Sequence, residues 1–569
     1  MREGENQSFR PALLGAGCTS AAGDSIAATW EGVLSGKNFA RPVDSSAWTV
    51  APRFVPRACS WKTPDSLSAL DQLVAKTLVA YREALAELPD SARARVRDGS
   101  RLGVILATTK GALDDEIWKG EGVRLETDFF SPILDEFLRA SELRPRRRTC
   151  VSNACASALS AFGLASDWLA DGELEDVLVL AVDRIGPFVL HGFHSLRAVT
   201  ADVPRPFGAN RSGLLLGEAS AALFFSRHGS EGDCEFRLAG VGIDAEGHAV
   251  TRPDDSGASL RAACESILAA NDRPDLVIAH GTATEVNDPV EARVLADLFP
   301  AADVPITASK GALGHTLGAS GAIDLLLARE VLRRGETFTI SQTTVVDSAF
   351  RGKFLVSPDL DRVEKVPGDY RRVLVTSLGF GGIHAAAMLE RGDAAETNAV
   401  LPKESTANAR PAKTAVPEAD AHAFAFPVKV APEWAPKVER WYQLDAFAYG
   451  MADAAHAWRN DPPPDAIFLA SPGGSNATDA EFANAGARSP ALFVHSLPNV
   501  RSSSFCQVLG WHGPLYCIQN DPSTIGDAAD EALRAHRRTG ASGWVVGIER
   551  TGTPGGFVVR RVRIGKVNK

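Results

Sequence analysis

Apolar positions along this chain follow two alternating periods. Short runs such as residues 101–107 (RLGVILA) and 176–182 (DVLVLAV) are apolar nearly throughout, the pattern of strands buried on both faces. Between them lie stretches with apolar residues three and four apart. Residues 66–88 (SLSALDQLVAKTLVAYREALAEL) are the longest of these and predict a helix. The alternation continues with strands at 238–245 and 276–280, helices near 257–270, 289–298 and up to about 333, and a closing stretch, RRVLVTSLGFGGIHAAAMLE. Residues 9–27 predict a strand, a polar turn and a helix. Gly15, Gly17 and Gly23 there lack the spacing of a dinucleotide fingerprint, and no acidic residue closes a second strand. The whole pattern predicts an α/β layered domain with helices around a mixed sheet.

Periodicity stops near Gly392. The next thirty or so residues are rich in Ala, Pro, Thr and charge, the composition of a linker. Beyond lies a second folded region that reads as a worn copy of the first. Its predicted helix at 438–459 matches 67–88, DAIFLASPGG matches GVILATTKG, and YCIQN (516–520) matches TCVSN (149–153). A helix and the strand WVVGIE then match those after Cys155, and Pro522 falls at the place of Cys155.

With 569 residues the chain is long enough for several domains, and 45% hydrophobic with 23% charged residues is ordinary for a globular protein. The net charge of −10 argues against a general nucleic-acid binder. No apolar run is long enough to span a membrane, and the start MREGENQSFR lacks the features of a signal peptide. The eight cysteines form no CxxC pair, so neither a disulfide framework nor a zinc site is expected, and a cytoplasmic setting fits.

Candidate chemistry centres on RRTCVSNACASALSAFGLAS (147–166), in which a strand, a tight turn carrying Cys155 and a helix start follow one another. The backbone N–H groups and dipole at such a helix end lower a thiol pKa and activate it as a nucleophile. A buried structural cysteine is the alternative. Three other stretches bear chemistry: AHGTATEVNDPVEA with His280, Thr282, Thr284 and Glu291; SKGALGHTLGASGAID with Lys310, His315 and Asp324; and TSLGFGGIHAA, where Phe380 stands among glycines that include Gly381. Glycines allow close backbone approach and expose N–H donors, as an oxyanion hole requires.

Together these stretches, with GFHSLRA (192–198) and RPFGANRSGLLLGEA (205–219), resemble the β-ketoacyl-acyl-carrier-protein synthases, elongating enzymes of the thiolase-fold superfamily, over residues 9–391. The resemblance implies a thiolase fold layered α-β-α-β-α, with residues 1–250 and 251–391 as two related halves. A linker at 392–424 and a degenerate half-thiolase α/β unit at 425–569 would follow. It implies decarboxylative Claisen condensation, with Cys155 as acylated nucleophile, His280 and His315 as the paired histidines on the malonyl thioester, and Lys310 fixing the second of them. Thr282 and Thr284 would meet the phosphopantetheine arm, with Asp324 and Glu291 grouped on the substrate side. The N–H groups of Cys155 and Phe380 would form the oxyanion hole, and Phe380 with Gly381 the gate. No metal and no cofactor of its own are implied, because the substrates ride on the phosphopantetheine of a carrier protein. A homodimer, or a heterodimer with a related subunit, is the expected assembly. The basic run Arg144, Arg146, Arg147 and Arg148 is a candidate contact for the acidic carrier protein, with a solvated face as its alternative. Asp324 replaces the usual Glu of the Lys–His network, and Ile383 and His384 replace Thr and Asn of the glycine-loop motif. Two other activities stay open: a ketosynthase/cyclase forming a ring product, and a non-catalytic partner subunit of the chain-length-factor kind.

Overall fold

The apolar runs become the interior strands of a sixteen-stranded sheet. The computed structural model describes residues 9–43, 54–61, 67–113, 128–228, 235–247, 254–268, 273–360, 362–392, 419–428, 430–438, 440–471, 476–486, 489–519, 524–550 and 556–565. Strands β1 (Ala12–Ser20), β2 (Leu102–Ala107), β3 (Arg147–Val151), β4 (Asp176–Asp183) and β5 (Ala219–Ser226) lie in the order 1-5-4-2-3. Next in sequence come β6 (Phe236–Ala245), β7 (Leu276–Ile278), β8 (Pro305–Thr307), β9 (Lys353–Phe354), β10 (Arg372–Gly379) and β11 (Ile383–Arg391). They repeat the order as 6-11-10-7-8, with β9 outside β8. A third set, β12 (Asp420–Ala425), β13 (Ala466–Ala470), β14 (Leu515–Ile518), β15 (Gly543–Arg550) and β16 (Gly556–Ile564), repeats it again as 12-16-15-13-14. In each set the last three strands are parallel and the first two join antiparallel. The degenerate C-terminal unit therefore has the strand order of a half domain. The third set starts at Asp420, before the expected 425. Residues 393–418 of the expected linker, and Pro522, lie outside the described residues.

The predicted helix at 66–88 is α1 (Ala69–Glu87), capped by Ser68, whose side chain accepts from the Asp71 amide. It lies against β1 so closely that a Cβ on Gly15 or Gly17 would come within 2.4 Å of the Ala84 or 2.2 Å of the Ala80 carbonyl oxygen. Those glycines serve helix-on-strand packing rather than a nucleotide. Helices α2 (Ser157–Ala170) and α3 (Ser320–Arg334) are buried along most of their length and pack on each other in the middle of the molecule, Gly321 against Leu159. A helix buried all round belongs to the interior layer, which gives the layered thiolase architecture.

The helix expected at 438–459 is shorter. It is α4 (Ala446–Ala457), begun by Asp445, whose carboxylate accepts the Ala448 amide at 2.7 Å. The preceding turns include Arg440 at φ 56° and an extended Leu444, because a capping Asp holds non-helical backbone. The strand expected at 276–280 likewise stops at Ile278. After a helix at Asn476–Asn484, helices α5 (Pro490–His495), α6 (Arg501–Leu509) and α7 (Thr524–Thr539) complete the third set. Among the described residues no helix is long and apolar enough to cross a membrane.

Candidate active site

Cys155 stands in the single 3-10 turn between β3 and α2, buried to 6% exposure. Ala154 before it takes φ 47°. That left-handed backbone costs an L-residue about 1 kcal/mol and is held by Ser157, whose hydroxyl donates to the Ala154 carbonyl at 2.6 Å. Ser377 at the end of β10 donates to the Cys155 carbonyl at 2.8 Å. The thiol position is thus set by two elements far apart in sequence.

His280 follows β7. Its backbone N–H donates to Glu291 Oε1 at 2.7 Å, the Gly281 N–H to Glu291 Oε2 at 2.8 Å, and Thr376 Oγ1 to Oε1 at 2.6 Å. His315 is held by backbone bonds to Leu215 and Gly217. Its Nε2 lies 3.0 Å from Cys155 Sγ. The two imidazoles meet edge to face, with centroids 5.0 Å apart. Behind them Lys310 Nζ pairs with Asp324 Oδ2 at 3.0 Å, both side chains at 2% exposure or less.

The electrostatics follow from burial. Desolvation pushes the Cys155 thiol up to about 12, against the opposing pull of Lys310 and of the Cys155 and Phe380 backbone N–H groups. The helix start alone suggested an acidic thiol; in the fold, burial outweighs it. Burial first, then the Lys310 charge, holds His280 and His315 well below the usual imidazole range. The site therefore pairs a protonated thiol with two neutral imidazoles, and His315 is placed to take the thiol proton.

A cavity of about 520 Å³ opens over these groups, and Thr282, Thr284, Phe380 and Gly381 line it. Thr282 and Thr284 touch through their hydroxyls at 3.0 Å. Two residues expected on the substrate side are elsewhere. Glu291 is spent on the backbone of the His280 loop and Asp324 on Lys310 and Ser309, so neither carboxylate faces the cavity. A carboxylate buried this deeply needs its oxygens filled by donors, which leaves none for a ligand. The basic run also divides. Arg147 turns inward to an ion pair with Glu531 and stacks on Trp168 at 4.2 Å, whereas Arg148 pairs with Asp135 on the surface. Alternation along β3 sends neighbours to opposite faces. Arg144, Arg146 and Arg148 stay exposed, at the strand end remote from Cys155, so only Arg147 is withdrawn from the candidate carrier-protein contact.

Arg197 and Asn287 also line the cavity; they lie in the stretches GFHSLRA and AHGTATEVNDPVEA but were not singled out there. Asn499, which donates to the Phe380 carbonyl at 2.7 Å from the third strand set, had no distinguishing signal in sequence. His384 also lines the cavity, its Nε2 3.4 Å from Glu246 Oε2, with both side chains nearly fully buried. Replacing His384 by Ala strands that carboxylate. The expected loss is about 1–3 kcal/mol of stability, read as an earlier denaturant midpoint; an unchanged midpoint would show that the pair contributes nothing.

The family model for the β-ketoacyl synthase N-terminal domain matches residues 147–229, and that for the C-terminal domain matches 236–341. Residues 147–341 thus match both β-ketoacyl synthase domains. The synthase is 27% identical over 425 residues to the tetracenomycin polyketide synthase ketoacyl synthase alpha subunit of Streptomyces glaucescens, covering 67% of this chain and 97% of the relative. It is 24% identical over 421 residues to 3-oxoacyl-[acyl-carrier-protein] synthase 2 of Coxiella burnetii, covering 67% of this chain and 98% of the relative. Among solved structures, the PfaC keto synthase–chain length factor shares the fold over 97% of this synthase and 78% of its own chain, with TM-score 0.73 at 15% identity.

Proposed function

We propose that this synthase joins an acyl group, held as a thioester on Cys155, to the two-carbon unit of a malonyl-carrier protein with loss of CO2. The observation that carries the reading is His315 Nε2 at 3.0 Å from Cys155 Sγ, with His280 edge-on to it in one cavity. In the first half-reaction Sγ attacks the incoming thioester carbonyl. The thiol proton passes to His315 and then to the departing pantetheine thiolate. The backbone N–H groups of Cys155 and Phe380, which already reach Sγ, hold the oxyanion of the tetrahedral intermediate.

In the second half-reaction the malonyl C–CO2 bond breaks and its electron pair moves into an enolate. The enolate oxygen is stabilised by N–H donation from His280 and His315, roughly 3 to 4 kcal/mol for one good donor. The enolate carbon then attacks the acyl carbonyl, and collapse expels the Cys155 thiolate, which takes up one proton. A neutral imidazole has one N–H and one bare nitrogen, so His315 takes the thiol proton in one tautomer and donates to the enolate oxygen in the other. Intact catalytic residues in the first two strand sets argue for an enzyme rather than a non-catalytic partner, and the relatives are named as a polyketide ketoacyl synthase subunit and a 3-oxoacyl-[acyl-carrier-protein] synthase. The carrier protein brings its own phosphopantetheine arm, and Thr282 and Thr284 stand on the cavity wall along which that arm would run.

The test is intact-protein mass after incubation with acyl-carrier proteins, followed by malonyl-carrier protein. An acyl adduct that disappears as a β-ketoacyl product two carbons longer supports the reading; absence of any adduct sinks it. A pH profile adds a second check. The pKa of both histidines is depressed in the fold, so they stay neutral as pH falls through the ordinary value of 6.5. Condensation should continue without a titration step there. Stability has the opposite sign: below 6.5 the unfolded chain takes up protons that the buried imidazoles refuse, so the folded state loses stability as pH falls. A rate loss with its midpoint near 6.5 would show that the histidines are not held neutral.

A further inference from the structure

The third strand set meets the first edge to edge. β14 pairs antiparallel with β3, Ile518 opposite Val151. The Ser152 amide donates to the Cys517 carbonyl at 3.0 Å, and the Gln519 amide donates to the Cys150 carbonyl at 2.9 Å. In the match of YCIQN to TCVSN, Cys517 corresponds to Cys150 and Gln519 to Ser152. Each of the two bonds is therefore the other with the sets exchanged. Outward from this pair the strand order runs 3-2-4-5-1 on one side and 14-13-15-16-12 on the other, with the same parallel and antiparallel joints. Such a self-complementary contact about a local two-fold is how two copies of one chain close a dimer. Here both sides belong to a single chain, and the outer edge of β3 is already occupied.

The seam is a permanent one. Lys110 Nζ from the first set pairs with Asp479 at 2.8 Å, with side-chain exposures of 6% and 3%. Arg147 pairs with Glu531, which also accepts Trp168 Nε1 at 2.8 Å. Separating the sets would leave these charges unpaired in a surface built to be dry, a strongly destabilising change. The third set also finishes the active site. Asn499 anchors the Phe380 carbonyl, and Val500 packs within 3.1 Å of where a Cβ on Gly381 would lie. Phe493 and Leu497 wall the space behind Cys155, which is reduced to about 10 Å³. That is about the room one water centre needs.

We infer that residues 420–565 stand where a second subunit would stand. They complete the Cys155 site within the same chain, so the synthase works as a monomer with one acyl site rather than as the homodimer, or heterodimer with a related subunit, that its family resemblance implies. Phe493, supplied by this built-in partner, limits the acyl group that Cys155 can hold.

Two measurements on the full-length chain test this. Native mass spectrometry with light scattering, across micromolar concentrations, is expected to give the mass of one chain throughout; a stable species of twice that mass overturns the inference. This readout needs no activity, so a monomer that never loads an acyl group sinks the proposed function and still supports the built-in partner. The acyl readout rests on the proposed function. Phe493→Ala, with Leu497→Ala as a second variant should the first fold poorly, is expected to favour longer acyl groups on Cys155 over acetyl by about tenfold or more, with the monomer mass kept. An unchanged acyl-length preference in a folded variant overturns the claim that this unit completes the site.

Discussion

Cys155→Ala is expected to abolish covalent acyl loading and to lower condensation by about 10⁴-fold or more, the scale of loss when a covalent nucleophile is removed. The thiol is the sulfur that both the His315 imidazole and the two oxyanion-hole amides address. Removing it leaves donors aimed at an empty position. The fold should survive, because one buried sulfur replaced by hydrogen costs roughly 1 kcal/mol. The other cysteines among the described residues are buried, and burial pushes their thiols up as well. None of them lines the cavity. Intact mass should therefore show one adduct on the parent protein and none on the variant. An adduct retained by Cys155→Ala would place the nucleophile elsewhere and remove the mechanism.

The second large effect separates the two histidines. His315 touches the sulfur, so His315→Ala should slow both acyl loading and decarboxylation. His280 makes its contact through the second half-reaction only, so His280→Ala should load at close to the parent rate and lose decarboxylation by about 10²–10³-fold, the cost of one oxyanion donor. Adduct formation by mass and release of labelled CO2 from malonyl-carrier protein report the two steps independently. Equal loss of both steps in His280→Ala would mean that the imidazoles act as one unit on the thiol, with no division of labour between them.

Much of the fold and of the site is legible in the sequence. Apolar runs such as 101–107 and 176–182 could only be interior strands, and they are β2 and β4. The four chemistry-bearing stretches hold strand-end and glycine-loop positions, where side chains and amides are free to meet, and the fold brings Cys155, His280, His315 and Phe380 into one cavity. Local reasoning failed where the outcome depended on what surrounds a group. The helix start behind Cys155 pointed to an acidic thiol, yet desolvation in the folded interior raises it to about 12. Asp324 pairs with Lys310, as its place in the Lys–His network implied, but the backbone amides that Glu291 satisfies can be seen only in three dimensions. The basic run was one patch in sequence, and in space Arg147 leaves it for an inward ion pair with Glu531.

The third strand set shows the same boundary at larger scale. Sequence alone determined that a worn copy follows the synthase halves, because hydrophobic period and residue order are properties of a segment by itself. Only the tertiary structure decided that the copy seats β14 on β3 and delivers Phe493, Leu497 and Asn499 to the Cys155 site. Edge pairing, buried charge matching and cavity walls are relations between segments. Their energies come from groups that are far apart along the chain and neighbours only once it has folded.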